Sequence, residues 1–201
     1  AYTAWWQKDS KLSAPKNSNL KTVMDFSFFD KINTAKNEQT ETWFKGLDRI
    51  YNNFVYDFLY PNPASVLAFI ENHDTDRFLG EGNNLPMLKQ ASTLLLTTRR
   101  IPQLYYGTEV MMNGVKSKSD GYVRKDFPGG WTGDATNALT PAGRTKIQNE
   151  CYDFYKTILN WRKGNDVIAK GSMVQFMVQN GVYAYARQYE GKTIFVMLNG
   201  T

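Results

Sequence analysis

The sequence holds one cysteine and one histidine among its 201 residues. A single thiol excludes a disulfide framework, and Cys151, on the apolar side of a helical pattern, reads as a small buried residue. No apolar run approaches the roughly eighteen residues of a bilayer span, so no membrane span is expected in this chain. Nothing at the start has the pattern of a signal peptide, and an internal-looking start is silent on targeting. A dense oxygen-ligand loop is also lacking: Asp74 and Asp76, with only Thr75 between them, make too short a cluster to enclose a hard cation. The formal charge is +5, yet Lys and Arg are scattered among acids without the basic stripe of a nucleic-acid-binding surface. Lys116 and Lys118, the closest basic cluster, read as a solvated turn. Aromatics, by contrast, make up 14% of the chain. Trp5, Trp6, Trp43, Trp131 and Trp161 offer stacking surfaces, although such rings more often pack a core.

The most informative stretch runs over residues 65–78. Val66, Leu67, Phe69 and Ile70 are nearly continuous apolar positions, as expected for a parallel strand covered on both faces. Glu71, Asn72, His73, Asp74, Asp76 and Arg77 then follow at its carboxyl end, where chemistry sits in parallel α/β folds. The only histidine falls inside this cluster. A histidine beside an aspartate is also what a hydrogen-bonded structural pair looks like, and the residues alone leave both readings open.

Phe69, Ile70, Glu71, Asn72, His73 and Asp74 in succession resemble the strand-seven motif of the α-amylase family of glycoside hydrolases. Members of that family are (β/α)8 barrels acting on α-glucosidic bonds. Residues 101–109 look like strand eight of the same barrel, and residues 85–100 have the length of a helix joining two parallel strands. Residues 119–131 resemble the loop after strand eight in the neopullulanase, cyclomaltodextrinase and maltogenic-amylase branch. There the resemblance implies that Asp120 and Arg124 hold sugar hydroxyls, and a carboxylate with a guanidinium is the acceptor and donor set that grips vicinal hydroxyls bidentately. Standing alone, the pair reads as readily as a surface ion pair. By the same resemblance Asp74 stabilises the oxocarbenium-like transition state and His73 donates to a neighbouring hydroxyl, with Asn72 beside them. Trp131 in the loop and Tyr106 at the mouth of strand eight are the stacking candidates.

A whole barrel takes about 250 residues, more than this chain has. The expected fold is therefore α/β: the C-terminal part of a (β/α)8 TIM barrel, strands six to eight with their helices, over residues 1–164. The beginning of an antiparallel β-sandwich domain is expected over residues 165–201. Strand six is placed at residues 20–26, helical structure at 42–58, strand seven at 65–70 and strand eight at 101–106. Residues 1–8 resemble the segment just beyond strand five. The nucleophilic aspartate and the acid/base glutamate are then expected upstream of Ala1, and the isolated chain is expected to be inactive, because retaining hydrolysis needs two carboxylates about 5 to 5.5 Å apart.

Residues 142–163 place Ile147, Cys151, Phe154, Tyr155, Ile158 and Leu159 at spacings of three and four, an amphipathic helix opened by Thr140 and Pro141 and closed by Gly164. From Gly171 the period becomes two, through Met173, Gln175 and Met177 and then Val182, Ala184 and Ala186, around a hairpin turn at Asn180 and Gly181. A third strand at 193–198 follows Glu190 and Gly191.

The resemblance implies a parent that cleaves α-1,4-glucosidic bonds, with α-1,6 left open, in starch, pullulan, cyclomaltodextrins or maltooligosaccharides. Its partners are an α-glucan and the N-terminal part of the same protein, with no nucleic acid. It implies no cofactor in this chain and leaves room for a structural Ca2+ upstream. The loop is most like forms from polysaccharide-degrading bacteria, pointing to the periplasm or cell surface. Two other readings stay open: an α-glucanotransferase, and a non-catalytic amylase-like ectodomain of a transporter complex. The joint presence of Asn72, His73, Asp74, Asp120 and Arg124 favours an enzyme, since a scaffold has no physical need of that set.

Overall fold

The computed structural model describes residues 7–9, 19–38 and 43–200. Trp5, Trp6 and most of the segment at residues 1–8, together with Thr42, lie outside the described residues.

The first helix, α1 (Phe26–Ala35), starts where Asp25 accepts a hydrogen bond from Phe28 N–H at 2.9 Å, and buries Phe28, Ile32 and Ala35 along one stripe. It begins at Phe26, inside the stretch 20–26 expected as strand six, where only single parallel bridges form at Leu20 and Met24, and nothing in the apolar spacing there announced the helix. Helix α2 (Leu47–Val55) buries Ile50 and Phe54 and is continued by a 3-10 turn at Tyr56–Leu59.

Strand β1 (Leu67–Ala68) pairs in parallel with β2 (Ile101–Pro102), and Met24 forms a parallel bridge to Leu67 on the other side. Val66, Ala68, Phe69 and Ile70 are all buried, as the apolar run requires. The paired stretch is shorter than expected at both ends for backbone reasons. Asn62 caps a 3-10 turn at Pro63–Ser65, which uses the N–H groups of Ser65 and Val66 locally, so pairing begins only at Leu67. Beyond the strand, the Ile70 carbonyl accepts from Asn33 Nδ2 at 2.9 Å instead of a neighbouring strand. Strand β2 ends before the expected limit at residue 106 as well, because the Tyr105 carbonyl is taken by Thr108 N–H in a turn. Helix α3 (Leu85–Thr97) connects the two strands, with Asn84 accepting from Met87 N–H at its start.

Helix α4 (Asp120–Val123) is a single turn capped by Ser119. Helix α5 (Lys146–Arg162) begins later than the Pro141 signal suggested. Pro141–Gly143 forms its own 3-10 turn, and the helix is opened by a capping box in which Gln148 N–H donates to Thr145 Oγ1 and Thr145 N–H donates to Gln148 Oε1. Gly164, at φ +84°, ends it as expected. Helix α6 (Asp166–Lys170) then leads to an antiparallel meander of β3 (Ser172–Gln175), β4 (Val182–Tyr189) and β5 (Lys192–Asn199).

Both turns of the meander have two central residues in the left-handed region, Asn180 with Gly181 and Glu190 with Gly191, the geometry of type I′ hairpins. The inward face of β4 carries Tyr183, Tyr185 and Arg187, all buried. Met177, expected to continue the alternation of Met173 and Gln175, is exposed. The register slips by one residue between Gln175↔Tyr185 and Gln179↔Val182, a bulge that moves Met177 to the other face.

The chain divides into two compact units, one of Ala1–Ile70, Thr93–Gln103 and Arg162–Thr201, the other of Glu71–Ser92 and Leu104–Trp161. In the first, Phe69 stacks on Phe29 and meets Phe26 edge-on. A buried charged network ties its segments: Arg100 donates to Asp25 at 3.1 Å and by both Nη atoms to Asp57, which also accepts from Arg99 at 2.7 Å. Arg187 has no carboxylate partner among the described residues and donates to the carbonyls of Thr97, Gly171 and Ser172. In the second unit Cys151 is buried, and burial pushes its thiol up to about 12.

Candidate active site

The cluster lies in the second unit, at the turn that opens with Glu71. Glu71 is buried, and its carboxylate accepts from Phe78 N–H and Thr108 Oγ1 at 2.5 Å each and from Arg77 Nη1 at 3.3 Å. Burial pushes this carboxyl up from its ordinary value, against the pull of those three donors. Arg77, fully buried, donates to the carbonyls of Tyr106 (2.7 Å) and Val123 (3.1 Å) and lies 3.9 Å over the Tyr105 ring. One strut of buried charge therefore fixes the turn at 71–78, the turn at 105–108 and the end of α4.

On that base the turn is closed by Asn72, whose Oδ1 accepts from Asp74 N–H at 2.8 Å and whose N–H donates to Thr75 Oγ1 at 2.9 Å. Asn72 and Thr75 are buried, which leaves His73 and Asp74 projecting with more than half of each side chain exposed. Asn72 thus shapes the turn from beneath. His73 Nε2 lies 3.3 Å from Asp74 Oδ2.

Arg124 joins the parts. Its Nε donates to the His73 carbonyl at 2.7 Å, and its Nη2 is shared between Asp74 Oδ1 at 2.9 Å and Asp120 Oδ2 at 3.1 Å. The structure thus brings together His73, Asp74, Asp120 and Arg124, residues separated by some fifty positions in the chain. Tyr106 reaches the same loop through its hydroxyl, which donates to the Lys125 carbonyl at 2.6 Å. Trp131 lies farther along, exposed, in a glycine-rich turn where its N–H donates to Asp134. Gly129, at φ +111°, is required there, because a Cβ would come within 2.4 Å of Asn137 Oδ1.

Two parts of the site escaped sequence reasoning. Glu71 and Arg77 were visible as polar residues at a strand end, but nothing in the chain signals that they pair with each other and with Thr108. Lys116 stands out in the sequence only as half of a small basic cluster in a turn, with nothing to link it to Asp74 or Asp120.

The arrangement presents two exposed carboxylates, an imidazole and a guanidinium on one surface, a set that accepts and donates hydrogen bonds to vicinal hydroxyls. Among the described residues no group of three His, Cys, Asp or Glu side chains is placed to hold a metal ion, and no helix is long and apolar enough to cross a membrane.

Comparison with known proteins finds relatives along most of the chain. Residues 173–201 match the Cyclo-malto-dextrinase C-terminal domain family. Over 90% of its length the chain superposes on an α-amylase from Geobacillus thermoleovorans, solved with acarbose, at a TM-score of 0.70 and 23% identity, covering 37% of that chain. This likeness is one of fold. In sequence, the chain is 31% identical over 183 residues to a cyclomaltodextrin glucanotransferase of Thermoanaerobacterium thermosulfurigenes, which takes in 91% of this chain and 23% of the relative. It is 29% identical to an α-amylase of Niallia circulans, over 91% of this chain and 31% of the relative. Along about nine-tenths of its length the chain is thus similar to enzymes of the α-amylase family. It spans about a quarter to a third of the length of these relatives.

Proposed function

We propose that the whole protein carrying this chain is a retaining glycoside hydrolase of α-1,4-glucosidic bonds, acting on starch, maltooligosaccharides or cyclomaltodextrins. Residues 1–164 then form the C-terminal part of a (β/α)8 barrel, with Met24, β1 and β2 marking strands six to eight, and residues 165–201 begin the all-β domain. The reading rests above all on Asp74, an exposed carboxylate held by Arg124 between His73 and Asp120. In it, Asp74 grips hydroxyls of the distorted sugar and stabilises positive charge at the anomeric centre, His73 donates to a neighbouring hydroxyl, and Asp120 with Arg124 binds the next sugar.

Double displacement needs one carboxylate to attack the anomeric carbon and a second to protonate the leaving oxygen. Asp74 fills neither role, and both are assigned to other parts of the whole protein, as is any structural Ca2+. The 201-residue chain alone is accordingly inactive. A second reading, α-glucanotransferase, is favoured by the name of the Thermoanaerobacterium thermosulfurigenes relative. In it a sugar hydroxyl intercepts the covalent intermediate in place of water.

The test is incubation of the whole protein with maltoheptaose, with products followed by chromatography and by the anomeric signals in NMR. Shorter α-anomeric products support the hydrolase, and longer or cyclic products the transferase. Absence of any turnover of α-glucans overturns both. Hydrolysis by the 201-residue chain alone overturns the division of roles.

A further inference from the structure

Two cations link Asp120 to the turn that carries Asp74, and only one of them belongs to the motif read from the sequence. The second is Lys116, in a turn closed by the Lys118 N–H to Val115 carbonyl bond. Its backbone N–H donates to Asp76 Oδ1 at 2.5 Å and its ammonium donates to the Asp74 carbonyl at 2.9 Å. The turn that carries Asp74 is thus gripped by both ends of one residue. The same ammonium lies 3.5 Å from Asp120 Oδ1, while Arg124 holds Asp120 Oδ2 at 3.1 Å. Both oxygens of Asp120 are occupied by cations, and the same two cations reach the turn of Asp74.

Exposed pairs of this kind add little to folding stability, because water and salt screen them. They do restrict where two neighbouring carboxylates stand relative to each other, and catalytic groups displaced by an ångström lose much of their effect. We propose that Lys116 is a positioning residue of the glucan site, setting the spacing between Asp74 and Asp120. The proposal rests on the glucan-cleaving reading above.

The experiment compares kcat, KM and melting midpoint of the whole protein with maltoheptaose for the wild type, Lys116→Met and Lys116→Arg. Lys116→Met keeps an unbranched apolar stem and the backbone bond to Asp76, and removes the ammonium donor. Its kcat/KM falls about tenfold, chiefly through kcat and with an unchanged melting midpoint, as expected for loss of an effect made mainly in the transition state. Lys116→Arg, which can still bridge the two turns, recovers most of the loss. A Lys116→Met variant within about twofold of wild type in both constants overturns the proposal, as does a raised KM with unchanged kcat. So does a fall in kcat that comes with a lowered melting midpoint and is not restored by arginine, which assigns Lys116 to holding the fold. A wild type that turns over no α-glucan removes the underlying reading instead, a result distinct from any of these.

Discussion

At the residue scale, Asp74 and Glu71 are carboxylates three positions apart with opposite surroundings. Asp74 projects into solvent on a hydrogen-bonded turn. On the proposed glucan-cleaving reading, Asp74→Asn in the whole protein keeps the shape and removes the charge, and kcat is expected to fall by about 100-fold or more while KM changes little. Steady-state kinetics on maltoheptaose decide this, and an unaltered kcat removes Asp74 from the transition state. Glu71 is buried with Arg77 as its only ion-pair partner among the described residues. Glu71→Gln leaves that guanidinium buried without its counter-charge and destabilises the protein by about 3 kcal/mol, read as a shifted urea midpoint at constant slope. A loss below about 1 kcal/mol would show that the carbonyls of Tyr106 and Val123 suffice to hold Arg77. Of these two carboxylates the sequence made only the first legible. The resemblance singled out Asp74, whereas the partners of Glu71 come from positions 6 and 37 residues away, a proximity that no local pattern encodes.

At the element scale, local chemistry decides where helices and hairpins begin and end. Asn180 with Gly181 was readable as a hairpin because both residues tolerate positive φ. Glu190, at φ +47°, does not do so easily. Glu190→Asn therefore stabilises the β4–β5 turn by about 0.5 to 1 kcal/mol, measured by chemical denaturation, and a destabilised variant would mean that the Glu190 side chain itself holds the turn. The start of α2 depends on Glu38, whose carboxylate accepts from Gly46 N–H and from Arg49 at 2.5 and 2.6 Å. The Arg49 hydrogen bonds lower its pKa from 4.5 to about 2. A carboxyl depressed in the folded state contributes stability above its unfolded value and loses it as pH falls through the window from 4.5 to about 2. The melting midpoint of Glu38→Gln is thus lower than wild type at neutral pH, and the two curves converge on acidification. The gap is modest because solvent screens the pair. Parallel gaps at every pH would show that hydrogen bonding, not ionisation, carries the contact. Neither this contact nor α1 was visible in the sequence, since both depend on partners brought close only by folding, while the Thr145 to Gln148 capping box was there to be read and was passed over in favour of Pro141.

At the scale of the whole molecule, charge and apolar exposure pull in opposite directions. The +5 charge opposes association. Against it stands the outward face of the meander, where Val174, Phe195 and Met197 are exposed and the register Val174↔Ala186↔Phe195 makes them continuous across the three strands. Trp43, Phe44 and Phe58 are also exposed. Apolar patches of this kind are rare on freely soluble surfaces and drive association when they face water. The purified 201-residue chain is therefore expected to bind a hydrophobic dye and to self-associate. Raising the salt concentration strengthens the association, because screening within a Debye length of about 8 to 10 Å removes the repulsion and leaves the apolar attraction. Phe195→Glu with Met197→Glu places two carboxylates on the patch and lowers both dye binding and the apparent mass by light scattering. If the double variant associates as strongly as the original, the contact surface lies elsewhere, and the aromatic group of Trp43, Phe44 and Phe58 is the next to be charged. If the original chain stays monomeric and dye-free at all salt concentrations, exposed apolar area on this sheet is too small to outweigh the entropy lost on association.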